Sequence, residues 1–300
     1  MKTQTDNFLE IFHSIDFQKI KDHPNILIAA NFWEEDRFNA AKVCYKYMRT
    51  IDDLIDDHKA KNKIIKPEER KIIEAKIDAC LTMHEDLQET INRFRIPRWP
   101  MEDFARSMIY DIYHNGFSTL ESFLAYSRGA SVAPASIFVH LNGIKKVNEI
   151  YKDPPFDVKW VATPCAIFSY LVHIIRDFQK DQLNNLNSFA DELITRYGLN
   201  RENLREFAEG TPVNEKFRNL VSHYYTLADE YHQKTYDVLR AVSPLLESRY
   251  KLSLEVIFNL YLMVFERIDI KNGSFTTEEL NPTAEEIRDR VFDTIVHFDG

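Results

Sequence analysis

Glycine and proline are scarce in this chain. It has 7 glycines and 11 prolines in 300 residues, whereas average usage is about 7% and 5%. Folds rich in β-strands need many tight turns, and turns draw on these two residues for their backbone angles. The scarcity argues against a β-rich fold and favours long helices with short polar connections. We predict an all-α fold and, because no repeat or linker divides the sequence, a single domain over residues 1–300.

Cysteine is also rare, with three residues in all. Cys44, Cys80 and Cys165 lie far apart and lack the CxxC spacing of zinc sites, so we expect neither a disulfide nor zinc. The glycine-rich fingerprints of dinucleotide-binding and P-loop proteins, G-x-G-x-x-G and G-x-x-x-x-G-K-[ST], are both absent. The sequence therefore gives no indication of a nicotinamide cofactor.

The net charge of the chain and its lack of long apolar runs argue against further classes of partner and location. The net charge is −9 and the pI is near 5.6, which argues against nucleic acid or an anionic membrane surface as a partner. The N-terminal segment has no apolar run of signal-peptide length, and no run of 18 apolar residues occurs. We therefore expect a cytoplasmic protein.

One acidic stretch organises the sequence: YKYMRTIDDLIDD, residues 45–57. Its aspartates, which follow an arginine, are Asp52, Asp53, Asp56 and Asp57. Because residues three or four apart are neighbours on a helix, one helical face would carry Tyr45, Arg49, Asp52 and Asp56. Like charges stacked in this way destabilise an isolated helix by about 0.2–0.5 kcal/mol per pair. For a single such pair, a solvated surface is the ordinary explanation.

A second stripe of the same kind occurs in YLVHIIRDFQKD, residues 170–181. One helical face there would carry Tyr170, His173, Asp177 and Asp181, with Arg176 just before the first aspartate. The preceding residues are mostly apolar, which predicts a helix buried up to its acidic end. Two such stripes predict facing helices whose carboxylates converge at the rim of a cavity. Hard oxygen ligands of this kind favour Mg²⁺ that bridges to substrate phosphates.

These residues resemble the signatures of the squalene/phytoene synthase family, the head-to-head prenyl synthases, over residues from about 20 to 275. The first family signature, Y-x-x-x-R-x-x-D-D-x-x-D, matches Tyr45, Arg49, Asp52, Asp53 and Asp56. The second, R-D-x-x-x-D, matches Arg176, Asp177 and Asp181. Between them, Asp111 fits a helical aspartate of the family, and the segment beginning at Tyr126 approximates Y-x-x-A-G-x-V-G. The segment beginning at Tyr261 resembles Y-x-x-x-[LF]-x-x-I.

The resemblance implies a large helical bundle of the isoprenoid synthase type with a central cavity. It implies an Mg²⁺-dependent prenyltransferase that condenses two isoprenoid diphosphates, farnesyl or geranylgeranyl, head to head. The reaction would pass through a cyclopropyl diphosphate to a squalene- or phytoene-type product of isoprenoid biosynthesis. Release of so apolar a product implies peripheral contact with a membrane.

The resemblance also assigns roles to residues. The metal positions of the family fall on Asp52, Asp56, Asp177 and Asp181. Arg49 would set a fixed positive charge against the diphosphate. Near the reacting carbons, ring faces that stabilise cationic character would come from Tyr45, Tyr126 and Tyr261. For Tyr261, ordinary core packing is an equal alternative.

The chain departs from the family pattern around these carboxylates. The departures are residues 23–26, Gly116-Phe117, Tyr170, His173 and residues 186–188. His173 stands where the family has asparagine, and it would either bind the metal through a ring nitrogen or lie buried against a neighbour. Two alternatives to head-to-head synthesis therefore stay open. One is another diphosphate-ionising enzyme of this fold that releases a different terpenoid, and the other is an inactive relative acting as an assembly or scaffold protein.

Hydrophobic periodicity predicts the remaining elements. We expect helices at about 5–19, 36–57, 67–94, 101–114, 119–127, 129–143, 188–197, 201–209, 213–241, 243–250, 253–270 and 283–298. Ser118 and Glu121 resemble a capping box for 119–127. The mixture of small and apolar residues at 131–141 predicts one wall of an apolar tunnel, with close helix packing as the alternative. The Asn-rich segment 181–187 predicts a mobile polar loop that covers the site.

Overall fold

The computed structural model describes residues 4–20, 25–61 and 65–299. Within these ranges it also describes every side chain except those of residues 19–20, 56–61 and 81–83. These residues are almost wholly helical, which confirms the predicted all-α fold. In chain order the α-helices are α1 (Gln4–Ser14), α2 (Asn25–Ala30), α3 (Glu35–Lys61), α4 (Pro67–Met83), α5 (Glu85–Phe94), α6 (Trp99–Tyr113), α7 (Leu120–Ser127), α8 (Ala133–Gly143), α9 (Val158–Arg176), α10 (Phe178–Leu183), α11 (Asp191–Arg196), α12 (Arg201–Ala208), α13 (Glu215–Val242), α14 (Ser248–Phe265), α15 (Thr277–Leu280) and α16 (Ala284–Val296). A π turn occurs at Arg128–Val132, and 3₁₀ turns occur at Phe17–Ile20 and Ser243–Leu245.

Helix α9 lies inside the bundle, packed against α8, α13, α14 and the π turn. Phe168, Leu171 and Val172 are fully buried, as expected for a helix whose surface is apolar nearly all round. The helix begins at Asp157, whose carboxylate accepts hydrogen bonds from the backbone N–H groups two and three residues on. Its length and composition would also allow a membrane span. With 56% of that window buried and helices packed on several sides, its surroundings are those of a core helix.

Helix α3 carries the first acidic motif and confirms the helix predicted at 36–57. Ile51 and Ile55 are 0% and 2% exposed, so one face of the helix packs into the core against α5, α6 and α8. Arg49 and Asp53 lie on the exposed side. This amphipathic pattern fixes the rotation of the helix and thereby the direction of its acidic residues.

The helix that carries the second acidic motif is interrupted. Helix α9 ends at Arg176, and Asp177 has φ −89° and ψ 1° before α10 begins at Phe178. Helical hydrogen bonds still cross the break, from the Asp177 N–H to the His173 carbonyl and from the Asp181 N–H to the Asp177 carbonyl, both 2.8 Å. The residues therefore keep nearly helical spacing across the break.

Two further predicted helices differ from the observed ones. The helix predicted at 67–94 is divided at His84, whose extended backbone (φ −92°, ψ 100°) ends α4. Glu85 and Asp86 follow and favour a new helix N-terminus through their negative charge. The capping box of α7 is formed by Thr119 and Ser122, so the prediction of Ser118 and Glu121 was wrong by one residue.

The predicted helix 129–143 begins as the π turn, and regular α-helix starts only at Ala133. At Gly129 the turn comes so close to α6 that a Cβ atom would overlap the Ser107 hydroxyl and the Asp103 carbonyl. A glycine is therefore required there by close packing. Turns of this kind are frequent at functional sites.

A two-stranded antiparallel hairpin, β1 (Lys145–Val147) and β2 (Ile150–Lys152), joins α8 to α9. The pairs in register are Lys145 with Lys152, Lys146 with Tyr151, and Val147 with Ile150. Asn148 and Glu149 form the turn with φ of 49° and 63°, the positive angles of a two-residue type I′ turn. Periodicity does not predict this hairpin, because its strands are short and its turn has no glycine.

Candidate active site

An apolar cavity of about 350 Å³ lies among α3, α6, α8, α9, α13 and α14. Helix α8 contributes Pro134, Ala135, Phe138 and Val139 to its wall. The tunnel wall predicted at 131–141 therefore does line a void. Ala133 is 0% exposed and packs within the core, so only part of that segment faces the cavity.

Several predicted site residues lie together on the wall of this cavity. Helix α3 contributes Tyr45, Arg49 and Asp52, α9 contributes Ser169 and His173, and α14 contributes Tyr261. The two acidic stripes and the segment beginning at Tyr261 are far apart along the chain, and the helix packing brings residues from all three to the wall of one cavity.

A smaller polar cleft of about 160 Å³ adjoins the acidic motifs. Its lining includes three carboxylates, from Asp52 on α3, Asp111 on α6 and Asp181 on α10. Residues 185–188 of the Asn-rich segment also line the cleft, while 181–183 are helical. Asp52 lines both the cleft and the apolar cavity, so a ligand with a charged head and an apolar tail would have a hollow for each part.

Two tyrosines, Tyr126 and Tyr170, line this cleft together with the carboxylates. The Tyr126 hydroxyl donates to the Asp111 carboxylate at 2.6 Å. Burial, with the nearby charge of Asp111, raises the pKa of Tyr126 and Tyr170 well above the ordinary value. Both hydroxyls therefore stay protonated and can donate hydrogen bonds. The role of Asp111 beside Tyr126 is not visible in the sequence, since the two residues lie on different helices.

Two of the departures from the family pattern meet in one aromatic cluster. The ring of Phe117 lies 5.1 Å from that of Tyr126 and 5.3 Å from that of Phe123. Tyr170 stacks on Phe123 at 5.3 Å with an interplanar angle of 9°. Aromatic pairs of this geometry pack favourably. One wall of the cleft is therefore aromatic, and at Tyr170 the ring stands where the family pattern has glutamine.

Arg49 and Asp53 form a pair at the edge of the site. The Arg49 guanidinium lies 2.6 Å from Asp53 Oδ1 and 3.4 Å from Asp52 Oδ2. Burial alone would lower the pKa of Arg49, but these two carboxylates outweigh it and raise that pKa. Asp53 is half exposed and is absent from the described lining of both hollows. In the structure its contact is with Arg49, and its predicted catalytic role stays a prediction.

Arg176 and Asp177 form a pair of the same kind in the second motif. Arg176 Nε and Nη2 donate to the two carboxylate oxygens of Asp177 at 2.9 and 2.6 Å. Burial would raise the pKa of Asp177, but the hydrogen bonds and charge of Arg176 lower it overall. Neither residue belongs to the described lining of the cavity or the cleft. The structure thus brings Asp181, and not Asp177, into the cleft with Asp52.

His173 faces the apolar cavity and lies edge-on to Tyr261, with ring centroids 5.3 Å apart. Burial and the charge of Arg176 lower its pKa to about 3, so the imidazole is neutral. Its Nε2 atom is buried without a hydrogen-bond partner in the described structure. An unpaired buried polar atom costs about 1–3 kcal/mol, and this one belongs to a residue that lines the cavity. The alternative prediction was a buried histidine whose ring is hydrogen-bonded to a neighbour, and Nε2 makes no such bond in the described structure.

The carboxylates of the cleft have the donor chemistry that Mg²⁺ prefers. Within the described ranges, however, no three His, Cys, Asp or Glu side chains are grouped closely enough to hold a metal ion. The Asp56 side chain, a predicted ligand, lies outside the described residues, and Asp177 is held by Arg176. The donor type therefore fits the metal, while a complete ligand set is not assembled among the residues described.

An all-α bundle around an apolar cavity, with carboxylates from several helices at its mouth, is the architecture of the isoprenoid synthases. Solved structures support this class. A dehydrosqualene synthase in complex with ligand has a TM-score of 0.69 at 14% identity, covering 96% of each chain. YisP from Bacillus subtilis subsp. subtilis strain 168 has a TM-score of 0.61 at 13% identity, covering 97% of this chain and 98% of its own. Squalene synthase HpnC from Alicyclobacillus acidocaldarius has a TM-score of 0.55 at 10% identity, covering 79% and 96%.

The family follows from the sequence comparison. The model of the squalene/phytoene synthase family matches residues 22–284, and the chain belongs to this family. The family and the fold are those of prenyl-transferring enzymes. No curated protein sequence matches the chain.

Proposed function

We propose that the chain is an Mg²⁺-dependent prenyltransferase that condenses two isoprenoid diphosphates head to head. The reaction passes through a cyclopropyl diphosphate to a squalene- or phytoene-type product, with farnesyl or geranylgeranyl diphosphate as substrate. The observation that carries the proposal is the position of Asp52 on both the polar cleft and the apolar cavity. A prenyl diphosphate has the same two parts, a charged head and an apolar tail.

The residues proposed to hold Mg²⁺ are Asp52, Asp56, Asp177 and Asp181, as the family positions imply. When bound, the metal neutralises charge on the leaving diphosphate. Arg49 adds a positive charge at the same end of the cavity, where it is already oriented by Asp53. Arg176 holds Asp177 in place until a cation competes for its carboxylate.

The aromatic residues lie against the part of the substrate that becomes cationic and stabilise its charge. Tyr45 and Tyr261 line the cavity, and ring faces stabilise positive charge within about 6 Å. Tyr126 lies at the cleft with its hydroxyl fixed by Asp111, so its ring cannot rotate freely. The apolar wall below them excludes water, which would otherwise capture the cation.

A second candidate is a diphosphate-ionising enzyme of the same fold that releases another terpenoid. The aromatic cluster of Phe117, Phe123, Tyr126 and Tyr170 favours it, because within this cluster Tyr170 stands where the family pattern has glutamine and Phe117 lacks the hydroxyl of the family's tyrosine. Such a wall would hold the second substrate differently or leave no place for it. An inactive scaffold, the third alternative, is expected to show no diphosphate release at all.

One experiment separates these candidates. Purified protein is incubated with farnesyl or geranylgeranyl diphosphate, with and without Mg²⁺, and both diphosphate release and extracted lipids are measured. Head-to-head synthesis gives a product with twice the carbon number of its substrate, only with Mg²⁺. Diphosphate release without carbon doubling supports the second candidate, and no release in either condition overturns both enzymatic proposals.

The partners proposed with this function are the isoprenoid diphosphates, without nucleic acid, and the proposed location is the cytoplasm. An apolar product of this size is poorly soluble in water, so its release is proposed to involve peripheral contact with a membrane.

A further inference from the structure

The hairpin β1–β2 presents a small apolar surface to solvent. Val147 and Ile150 are directly opposite each other and are 47% and 59% exposed. The opposite face of the hairpin is anchored, since Tyr151 is 4% exposed and its hydroxyl donates to Asp36 at 2.7 Å. The hairpin is therefore held firmly on its inner face while its outer face is free.

The outer face also carries positive charge. Lys145 and Lys152 are directly opposite each other across the two strands. Side chains two residues apart along a strand point to the same face. The two lysines therefore lie on the same face as Val147 and Ile150, farther from the turn. Like charges directly opposite destabilise a hairpin. The nearby carboxylates form ion pairs with other residues, Glu149 with Lys146 and Asp153 with Arg95. The pKa of Asp153 is lowered mainly by Arg95 and to a smaller extent by the charge of Lys152. In the part of the chain that is described, neither Lys145 nor Lys152 lies within ion-pair distance of a carboxylate.

The hairpin lies at the end of the bundle opposite the acidic motifs. It connects the last turn of α8 to the first turn of α9, whereas the second motif follows the far end of α9. Val139 and Val161, one turn or less from the helix ends that the hairpin joins, line the apolar cavity. Trp160, in the first turn of α9, is 51% exposed. This end of the cavity is therefore close to an exposed apolar and basic surface.

We infer that the outer face of the hairpin docks on a lipid bilayer that contains anionic lipids. The aliphatic pair reaches the boundary of the acyl chains, while the two lysines behind it extend to the phosphates, as long basic side chains do at membrane surfaces. The chain as a whole has a net charge of −9, so its other surfaces are repelled by anionic lipid and contact is restricted to this basic hairpin. Docking itself does not depend on the proposed function, whereas a role in transferring apolar substrate or product rests on it.

Vesicle sedimentation with the full-length protein tests the inference. Vesicles of phosphatidylcholine alone are compared with vesicles that also contain phosphatidylglycerol, at low and high NaCl and without any prenyl substrate. We expect binding to the anionic vesicles that weakens at high salt. Lys145→Glu and Lys152→Glu should each weaken it by about fivefold or more, and Ile150→Glu should weaken it on both vesicle types.

A matched control is Ile72→Glu on α4, because Ile72 is 56% exposed and the charge change is the same. This variant should bind vesicles as the wild type does, and thermal melts should show all variants folded. Wild-type protein that stays in the supernatant with anionic vesicles overturns the inference, as does equal loss in the Ile72 variant. A concentration-dependent dimer in light scattering that Ile150→Glu abolishes would assign the face to a second copy instead. None of these readouts uses turnover, so they stand apart from any failure of the proposed reaction.

Discussion

The guanidinium of Arg176 binds both carboxylate oxygens of its sequence neighbour Asp177, at 2.9 and 2.6 Å. Both side chains are about three-quarters buried, so this pair is less screened by water than a surface pair. In the first motif Arg49 lies close to Asp53 and Asp52, although these side chains are about half exposed. Among the described residues, each acidic motif therefore carries an arginine that offsets part of its negative charge without any metal.

The first prediction concerns Asp52 and Asp177. Under the proposed function, Asp52→Asn and Asp177→Asn should each reduce Mg²⁺-dependent diphosphate release on the order of 10²-fold or more, as single electrostatic groups in active sites do. Their stabilities should differ. Asp177→Asn leaves a mostly buried guanidinium without its charged partner and should cost about 1–3 kcal/mol, while Asp52→Asn removes a half-exposed contact and should stay within about 0.5 kcal/mol.

The matched control for this pair is Asp237→Asn. Asp237 pairs with Arg240 at 2.9 Å, at the i,i+3 spacing that Arg49 and Asp52 have, on the exposed surface of α13. It should change neither activity nor stability. Unreduced diphosphate release in both motif variants would remove the two carboxylates from the metal assignment.

The second prediction concerns His173. His173 lines the cavity, and its buried Nε2 has no hydrogen-bond partner among the described residues, so His173→Asn should alter the relative activities with Mg²⁺ and Mn²⁺ and leave the melting temperature nearly unchanged. His140 is the control, because it is also buried but its Nε2 is hydrogen-bonded to the Phe94 carbonyl at 2.9 Å. His140→Asn should lower stability and leave the metal preference as it was. Identical kinetics with both metals would make His173 a packing residue.

The third prediction uses two alanines of α8. Ala135 lines the cavity, whereas Ala133 is 0% exposed in the core. Ala135→Phe shortens the space for the tail and should reduce turnover of the C20 substrate more than that of the C15 substrate. Ala133→Phe overpacks the core, which costs about 1–3 kcal/mol, and should lower activity on both substrates alike. Thermal melts beside the two sets of kinetics distinguish these effects, and equal losses in the Ala135 variant would contradict the tunnel.

The fourth prediction concerns the pH dependence of stability. The Thr283 N–H and hydroxyl donate to Glu286 at 2.7 and 2.9 Å, and with the Arg267 side chain they lower the pKa of Glu286 from 4.5 to about 2. A lowered carboxyl pKa stabilises the folded state above the unfolded pKa, and this contribution is lost as the pH falls from about 4.5 towards 2. Glu286→Gln should therefore be less stable than wild type in urea at pH 6, with a difference that shrinks in that acidic range.

Glu285→Gln is the control for this measurement, since it removes the same charge from the same helical turn outside the capping box. It should reproduce little of the effect. A Glu286 difference that stays constant from pH 6 to pH 3 would show that the carboxylate charge is not what stabilises α16.

Much of the fold follows from sequence, because amphipathic periodicity determines which face of a long helix is buried. The prediction for α3 was accurate for this reason, with Ile51 and Ile55 defining its inner face. Local breaks were not predicted. The π turn at Gly129 depends on how closely α6 approaches, and the break at Asp177 leaves the helical hydrogen bonds in place, so neither alters the residue pattern.

The candidate site was predicted in part. The motifs supplied Asp52 and Asp181, and the structure places both in one cleft. The pairing of Tyr126 with Asp111, and the packing of Phe117 against Tyr126, depend on contacts between helices that periodicity does not specify. All five metal assignments stay predictions: Asp52, Asp56, His173, Asp177 and Asp181.

Asp52 lines both the polar cleft and the apolar cavity. If the proposed function holds, bond breaking would take place at the charged end, while the length of the tail would be limited by cavity walls that α8 and α13 contribute. Substitutions in those walls would then change the preferred chain length without changing the groups around the reacting atoms. Under the proposed function, the size range of the products could diverge through a few wall residues while the acidic motifs stay as they are.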